Sequence, residues 1–347
     1  MISDRENWLR TVEFRRPEWI PAWVGLSQLI WKTHRERLEE VVLRHPILFP
    51  GFKAGSVDFD APYPPVYREG EFRDNWGCLW HTASGGLEGQ VVEHPLADWA
   101  ALDSYRPPDP RAKSERGERD WKEIAASVAR TKAAGGLVWG DGERLFDRLY
   151  FLRGFENLMV DIATDDPHLP RLVEMLTEHE MALLDLWRPL QVDFMGFHTD
   201  IGTQQALMIS PAKFRKYLKP MFKTLFQSCR QAGTHVSLSS DGKLLEIVDD
   251  LLECGVSTHD PQVRANTLDG IARHYKGRLC AIVDLDRQMF PFCTPDDIRR
   301  QVEEAVVKVG SPAGGIMLAA QVYGDDIPVE NIEAISAALE EFRLYYA

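Results

Sequence analysis

The chain has 347 residues, of which 44% are hydrophobic, and a formal net charge of −13. This length and composition suffice for one large hydrophobic core or two smaller ones. The negative charge, with no basic stripe along the sequence, argues against a nucleic-acid partner. No apolar run approaches the roughly 18 residues of a membrane span, and the charged first residues lack an apolar signal core. We therefore expect a cytoplasmic protein that does not associate with membranes.

The first third of the chain contains two weak strand signals and an insertion. Residues 20–25 are a candidate first strand, residues 30–44 an amphipathic helix, and residues 45–51 a short second strand. Residues 75–81 and 89–93 are separated by a Ser-Gly-Gly turn and predict a β-hairpin. We expect this hairpin, at about residues 75–94, to be an insertion near the N-terminal third.

From residue 120 onward, predicted helices and strands alternate regularly. The predicted strands occupy residues 135–141, 192–197, 235–241, 256–259, 279–284 and 315–320. The predicted helices occupy residues 120–134, 156–162, 167–187, 211–232, 244–254, 266–275, 294–309 and 329–345. Such alternation predicts βαβ units and a parallel sheet.

Counting the two early strands, the α/β pattern contains eight units, which favours a (β/α)8 TIM barrel. A doubly wound open sheet is the alternative. Its nucleotide-binding version is disfavoured, because no GxGxxG or GxxxxGK[ST] motif follows a strand. We expect residues 1–347 to form a single barrel domain.

Two of the predicted helices begin at recognisable capping residues. Ser210 followed by Pro211 places a serine at the N-cap and a proline at the first helical position. Thr294 is followed three residues later by Asp297, which resembles a capping box.

Polar side chains follow the C-terminal ends of successive predicted strands. They are Asp141, Glu143, Arg144, His198, Asp200, Ser239, Asp241, His259, Asp260, Asp284, Asp286, Arg287, Gln321 and Tyr323. In a barrel these positions meet at one mouth, where active sites lie. A single acid there also serves as a helix cap or loop residue, but the recurrence after six consecutive strands favours a functional cluster. Crowded carboxylates either raise one another's pKa, which suits a general acid, or gather around a divalent cation.

Several segments of the chain resemble the uroporphyrinogen decarboxylase superfamily. They are Leu152–Asp161, Gly202–Pro211, Ser240–Lys243, Asp249–Val256 and Ile327–Asn331, and Trp76-Gly with Val91–Pro95 is similar to the hairpin region of its divergent bacterial members. The resemblance covers nearly the whole chain and implies a (β/α)8 barrel.

The superfamily contains decarboxylases and cobalamin-dependent methyltransferases. The decarboxylase's Arg-rich motif after the first strand has no match in residues 23–29, which argues against a highly carboxylated tetrapyrrole. The zinc-binding His-x-Cys and later Cys of some methyltransferases correspond to Ser239-x-Asp241 and Gln321, so thiol activation on zinc is not expected. The remaining resemblance is to methyltransferases that move a methyl group from an O-methyl compound, such as a methoxyaromatic, or an N-methyl compound to a corrinoid protein.

The resemblance implies roles for the residues at the strand ends. A heteroatom leaving group needs a proton donor or a Lewis acid as the methyl group departs. The predicted catalytic residues are Asp200, Asp241, His198 and Glu143. The predicted substrate-binding residues are Trp23, Trp80, Arg144, His259, Asp286, Arg287, Gln321 and Tyr323. Arg144 and Arg287 equally suit pairing with neighbouring acids.

The expected partners are a small-molecule methyl donor and a corrinoid protein carrying cobalamin, and a homodimer is compatible with the sequence. If a divalent metal such as zinc is bound, its ligands are oxygen and nitrogen groups, Asp241 among them, because no cysteine stands at the family's ligand positions. Two other classes remain open. One is a decarboxylase or metal-dependent hydrolase of a small molecule, and the other is a non-catalytic corrinoid- or tetrapyrrole-binding relative. The acids at the strand ends favour an enzyme.

Overall fold

The computed structural model describes residues 2–114 and 117–347. Its strands, in chain order, are β1 (Ala22–Leu26), β2 (Gly70–Arg73), β3 (Leu79–Thr82), β4 (Gln90–Glu93), β5 (Lys113–Ser114), β6 (Gly117–Glu118), β7 (Trp139–Arg144), β8 (Phe194–His198), β9 (His235–Ser239), β10 (Thr258–His259), β11 (Cys280–Asp284) and β12 (Ile316–Val322).

The α-helices of the described residues follow the same chain order. They are α1 (Asp4–Val12), α2 (Gln28–Arg44), α3 (Trp121–Ala133), α4 (Phe146–Arg153), α5 (Phe155–Thr164), α6 (Leu169–Trp187), α7 (Pro211–Lys213), α8 (Lys219–Gln231), α9 (Val248–Cys254), α10 (Val263–Asn266), α11 (Leu268–Tyr275), α12 (Pro295–Val309) and α13 (Val329–Phe342). A π-helical turn, Phe214–Leu218, joins α7 to α8. The two capping predictions are confirmed: the Ser210 side chain accepts from the Lys213 amide, and Thr294 with Asp297 forms a capping box.

The chain folds into two compact units. One comprises Met1–Tyr63 and Asp260–Ala347, and the other comprises Pro64–His259. The single-domain organisation of residues 1–347 stays a prediction.

The unit Pro64–His259 contains parallel strands in the order β7, β8, β9, β10. Phe194 of β8 lies opposite Trp139 of β7 and His235 of β9. Helix α6 packs on β7 and α8 on β9. Most of β8 is buried, as expected for a parallel strand covered by helices.

The unit Met1–Tyr63 with Asp260–Ala347 contains parallel strands in the order β11, β12, β1. Asp284 lies opposite Ala319, and Gly25 opposite Gln321. Helix α13 packs on α2 and α12. Together the two units contain seven parallel strands within the described residues, and the predicted α/β fold of the TIM-barrel type is confirmed.

The predicted second strand is wrong. Residues 45–51 form turns after α2, and the amides of Leu48 and Phe49 both donate to the His45 carbonyl. Pro46 and Pro50 have no amide hydrogen for a strand ladder. The apolar run therefore ends the helical segment instead of adding a strand to the sheet.

The predicted insertion is confirmed and larger than expected. Strands β3 and β4 pair antiparallel as the hairpin, and β2 adds a third strand to β3. The Asp74 carboxylate holds the turn between β2 and β3, because it accepts hydrogen bonds from the amides of Trp76 and Cys78 at 3.0 and 2.8 Å. It also accepts from the indole of Trp80 at 2.9 Å.

Strand β7 bulges just before its end. Asp141 lies opposite Gly196 and Arg144 opposite His198, so two residues of β7 face one residue of β8. Such a bulge redirects the residues that follow it. Helix α4 begins two residues after β7 and is absent from the sequence-based prediction.

No helix in the described residues is both long and apolar enough to cross a bilayer.

The close packing at the bulge predicts a strong difference between two glycine substitutions. A Cβ at Gly142 would lie 2.6 Å from a ring carbon of Phe197 and 2.7 Å from a Glu180 carboxylate oxygen. A Cβ at Gly196, on the neighbouring strand, would have no neighbour closer than 3.7 Å. We expect Gly142→Ala to lower the free energy of unfolding by about 1–3 kcal/mol and Gly196→Ala to leave it within about 0.5 kcal/mol, measured by urea unfolding. Equal losses in both variants would contradict this packing.

Candidate active site

The start of helix α4 is fastened to the end of strand β8. The Leu145 amide donates to the His198 carbonyl at 3.1 Å. The Phe146 amide donates to the Thr199 hydroxyl at 2.8 Å. These bonds take the place of an N-capping side chain, which α4 lacks. They bring Asp147, in the first turn of α4, to the chain that leaves β8.

Three aspartates then form a connected chain of hydrogen bonds. The Asp200 amide donates to both carboxylate oxygens of Asp147, at 3.1 and 3.3 Å. The Asp241 amide donates to the Asp200 carboxylate at 2.9 Å. Asp147 is buried, whereas Asp200 and Asp241 are partly exposed. The predicted neighbours Asp200 and Asp241 are therefore in direct contact, and Asp147 lies behind them.

Backbone packing holds the two aspartate loops together. The Lys243 amide donates to the Thr203 carbonyl at 2.8 Å. A Cβ at Gly242 would lie only 2.3 Å from the carbonyl carbon of Gly202. Gly242 also has a φ of +87°, which side-chain-bearing residues rarely adopt. This close approach requires glycine.

The Asp147 carboxyl is set up to hold a proton near neutral pH. Burial and the nearby charge of Asp200 raise its pKa from 3.8 to about 7. The Tyr150 hydroxyl donates to it at 2.5 Å and, together with the charge of Arg144, partly offsets that rise. Burial, followed by the charge of Asp147, raises the pKa of Tyr150, so Tyr150 remains a hydrogen-bond donor.

A second polar cluster lies behind strand β7. The fully buried guanidinium of Arg148 lies 3.5 Å from a Glu143 carboxylate oxygen and 3.3 Å from an Asp74 carboxylate oxygen. Its Cζ atom lies over the Trp76 ring, 4.6 Å from the ring centre. Because a buried cation needs charged partners, Arg148 ties the end of β7 to the inserted sheet.

Helix α6 contributes a buried acid to the same region. The Glu143 amide donates to both carboxylate oxygens of Glu180, at 3.1 and 3.2 Å. Burial, followed by the charge of Glu143, raises the pKa of Glu180 from 4.5 to about 8.

Comparisons with known proteins agree with this architecture. A family model described as uroporphyrinogen decarboxylase (URO-D) matches residues 84–342. The chain belongs to the uroporphyrinogen decarboxylase family. Two proteins named uroporphyrinogen decarboxylase, from two strains of Thermus thermophilus, are 26% and 25% identical over 353 aligned positions, covering 94% of this chain and of each relative.

Among solved structures, a methyltransferase from Methanosarcina mazei is similar to this chain, with a TM-score of 0.64. The sequence identity is 15%, and the match covers 99% of each chain. At that identity the likeness shows a shared fold.

The predicted site residues of the Pro64–His259 unit have different surroundings within the uroporphyrinogen decarboxylase fold. His198 is exposed at the end of β8. Arg144 forms an ion pair with Glu88. Trp80 is buried and packs edge-on against Phe151 at 4.8 Å between ring centres. The roles of these side chains toward a substrate stay predictions.

His259 is fully buried in β10. Burial lowers the pKa of its imidazole to about 3, against the effect of a hydrogen bond with the Ser240 backbone. A neutral His259 therefore supports the loop that carries Asp241, and its predicted contact with a substrate remains untested.

The predicted residues of the other unit form two local groups. The Tyr323 hydroxyl donates to Gln321 at 2.8 Å, and Arg287 lies over the Tyr323 ring at 5.9 Å. Asp286 pairs with Arg264 at 2.8 Å. Arg287 also lies 3.9 Å from Asp284, so an acid partner is present for both arginines of the sequence-based prediction. Trp23 stacks on Trp8 with 5.5 Å between ring centres.

No group of three or more His, Cys, Asp or Glu side chains in residues 2–114 and 117–347 is arranged to hold a metal ion. The described residues therefore do not fit a zinc site built around Asp241. The backbone amide of Asp241 instead binds the Asp200 carboxylate.

Asp147, Tyr150 and Glu180 are absent from the sequence-based site. Asp147 lies six residues after Asp141, beyond the strand-end positions that drew attention to the other acids. The available signal was its spacing from Tyr150, since residues three apart lie on the same side of a helix.

The raised pKa of Glu180 predicts a specific pH dependence of stability. Between pH 4.5 and about 8 the folded chain holds a proton at Glu180 that the unfolded chain has released. The free energy of unfolding therefore falls as pH rises through this window, by up to about 1.4 kcal/mol per pH unit from this group. Glu180→Gln has no proton to release in this pH range, so its free energy of unfolding lacks this pH dependence. We would measure urea unfolding of both proteins at pH 5 and pH 8. The free energy of unfolding of the variant, relative to that of wild type, should be higher at pH 8 than at pH 5. The same difference at both pH values would contradict the raised pKa.

Proposed function

We propose that the protein is a corrinoid-dependent methyltransferase that demethylates an O-methyl or N-methyl small molecule. Membership of an enzyme family and the fold shared with a methyltransferase support this proposal. The observation that carries it is the contact between Asp147, which holds a proton near neutral pH, and the partly exposed Asp200.

The reaction requires a proton at the leaving heteroatom. Departure of an alkoxide or amide anion is unfavourable in water, and protonation by a positioned acid lowers that barrier. Asp200 is the more exposed member of the pair, so it is the group proposed to contact the heteroatom. Asp147 is proposed to hold the proton next to it, because burial and the charge of Asp200 raise the pKa of the Asp147 carboxyl.

A corrinoid carried by a partner protein would, when bound, supply the nucleophile for the methyl group. The chain's own groups bind the donor and deliver the proton. The Asp241 amide fixes the Asp200 carboxylate at 2.9 Å, and Tyr150 fixes Asp147. Tyr323 and Arg287 are proposed to contact an aromatic or carboxylated donor, as are the other predicted binding residues. Cobalamin on that partner is the only cofactor proposed.

A decarboxylase is the second candidate, because the two curated relatives carry that name. The same acid pair would protonate the carbanion left by loss of CO2. The pairing of Arg144 with Glu88 and of Arg264 with Asp286 disfavours a polycarboxylate substrate, because those cations already face acids.

The test is methylation of cob(I)alamin by a panel of methoxyaromatics and methylamines, read from the cobalamin spectrum. We expect Asp200→Asn to lower the rate by about a hundredfold, the usual scale of general-acid catalysis. The wild-type rate should fall as pH rises through about 7, because Asp147 loses its proton there. Asp147→Asn should abolish that alkaline limb.

Asp185→Asn is the matched control, because Asp185 is an exposed acid of α6 that pairs with Arg188. Its rate should equal that of wild type. Release of CO2 from a carboxylated substrate, with no methylation of cob(I)alamin by any donor, would move the protein to the decarboxylase function.

A further inference from the structure

Helix α6 packs closely against strand β7 at the bulge. The two β7 residues that face the helix are glycines, Gly140 and Gly142. A Cβ at Gly140 would lie 3.0 Å from a ring carbon of Trp187, and one at Gly142 would lie 2.7 Å from Glu180. Only a strand without side chains at these positions admits both Trp187 and Glu180.

The helix hydrogen-bonds the backbone on both sides of Gly142. The Trp187 indole donates to the Asp141 carbonyl at 3.1 Å. The Glu180 carboxyl accepts from the Glu143 amide at 3.1 and 3.2 Å. Glu180 and Trp187 are seven residues apart, which places them on the same face of α6 two turns apart.

We propose that Glu180 and Trp187 are positioning residues: by clamping the β7 bulge, they set the register that places Asp147 against Asp200. The inference rests on the proposed function of the Asp147–Asp200 pair.

The connection from the clamp to the acid pair is short and continuous. The bulge lets Arg144 lie opposite His198. The next two amides, of Leu145 and Phe146, then bond to His198 and Thr199. Asp147 follows directly and accepts the amide of Asp200. If the bulge relaxed to regular pairing, every residue after it would shift by one position relative to β8.

The burial of Glu180 supports a role in positioning the backbone of β7. A fully buried carboxyl costs free energy, and an apolar residue of similar size would avoid that cost. Its oxygens instead satisfy the buried Glu143 amide, and the charged groups facing it are Glu143, Arg119 and Asp141. Glutamine keeps an acceptor oxygen of the same reach, whereas leucine keeps the volume and removes the acceptor.

The test is amide hydrogen exchange of the full-length chain, resolved at Glu143 and Asp200. In Glu180→Leu we expect exchange at both amides to be faster by roughly tenfold or more, with β9 amides unchanged, because the loss is local. In Glu180→Gln both amides should stay within about twofold of wild type. Trp187→Phe, which removes the indole donor together with part of the ring, should accelerate the same two amides. This variant provides the test if the leucine variant does not fold.

Two results would overturn the proposal. One is faster exchange at Glu143 with unchanged exchange at Asp200, since the bulge would then not control the acid pair. The other is an equal increase at all amides of β7–β9, which indicates general destabilisation.

Activity provides a separate readout. The alkaline limb of methyl transfer should move to lower pH in Glu180→Leu and be restored in Glu180→Gln, since Asp147 is then again held against Asp200. The charged and polar groups facing Asp147 are Asp200, Tyr150 and Arg144. If wild type transfers no methyl group but the exchange pattern holds, the positioning is supported and the proposed function fails.

Discussion

The hydrogen bonds from the Asp200 amide to the Asp147 carboxylate are the contact on which the candidate site depends. They join the first turn of α4 to the chain leaving β8. They also bring a buried acid beside a partly exposed one, which is how a protein keeps a carboxyl protonated near neutral pH. Asp241 and Tyr150 each add one hydrogen bond to this pair.

Close backbone approach makes that contact geometrically possible. Because Gly142 has no side chain, the Glu180 carboxylate can pack against strand β7. Because Gly242 has none, the loop that carries Asp241 can contact the loop that carries Asp200. Arg148 fixes the same strand end from another side through Glu143 and Asp74. The site is therefore held by main-chain and buried polar contacts in which a change of one methyl group matters.

The strands and strand-end residues of this fold could be predicted because buried parallel strands are short apolar runs that end in polar residues. Helix α4 could not, because seven of its eight residues are buried, including Asp147, Arg148 and Arg153. A helix with charged residues on its buried side shows no apolar stripe. Residues 45–51 led to the opposite error. This apolar run is predicted to be a strand, but it contains two prolines and forms turns. Asp200 and Asp241 could be proposed from their strands. The only signal for Asp147 was its spacing from Tyr150, and the contact of Glu180 with the Glu143 amide had no sequence signal.

The protonation of Asp147 is tested most directly by a carbon-13 NMR titration of the aspartate carboxyls in wild type, with the Asp147 signal assigned by its loss in Asp147→Asn. We expect this one carboxyl to titrate with a midpoint near pH 7. Its midpoint should fall in Asp200→Asn, where the neighbouring charge is removed. A midpoint near the ordinary aspartate value of about 4 in wild type would contradict the claim that the fold holds a proton at Asp147.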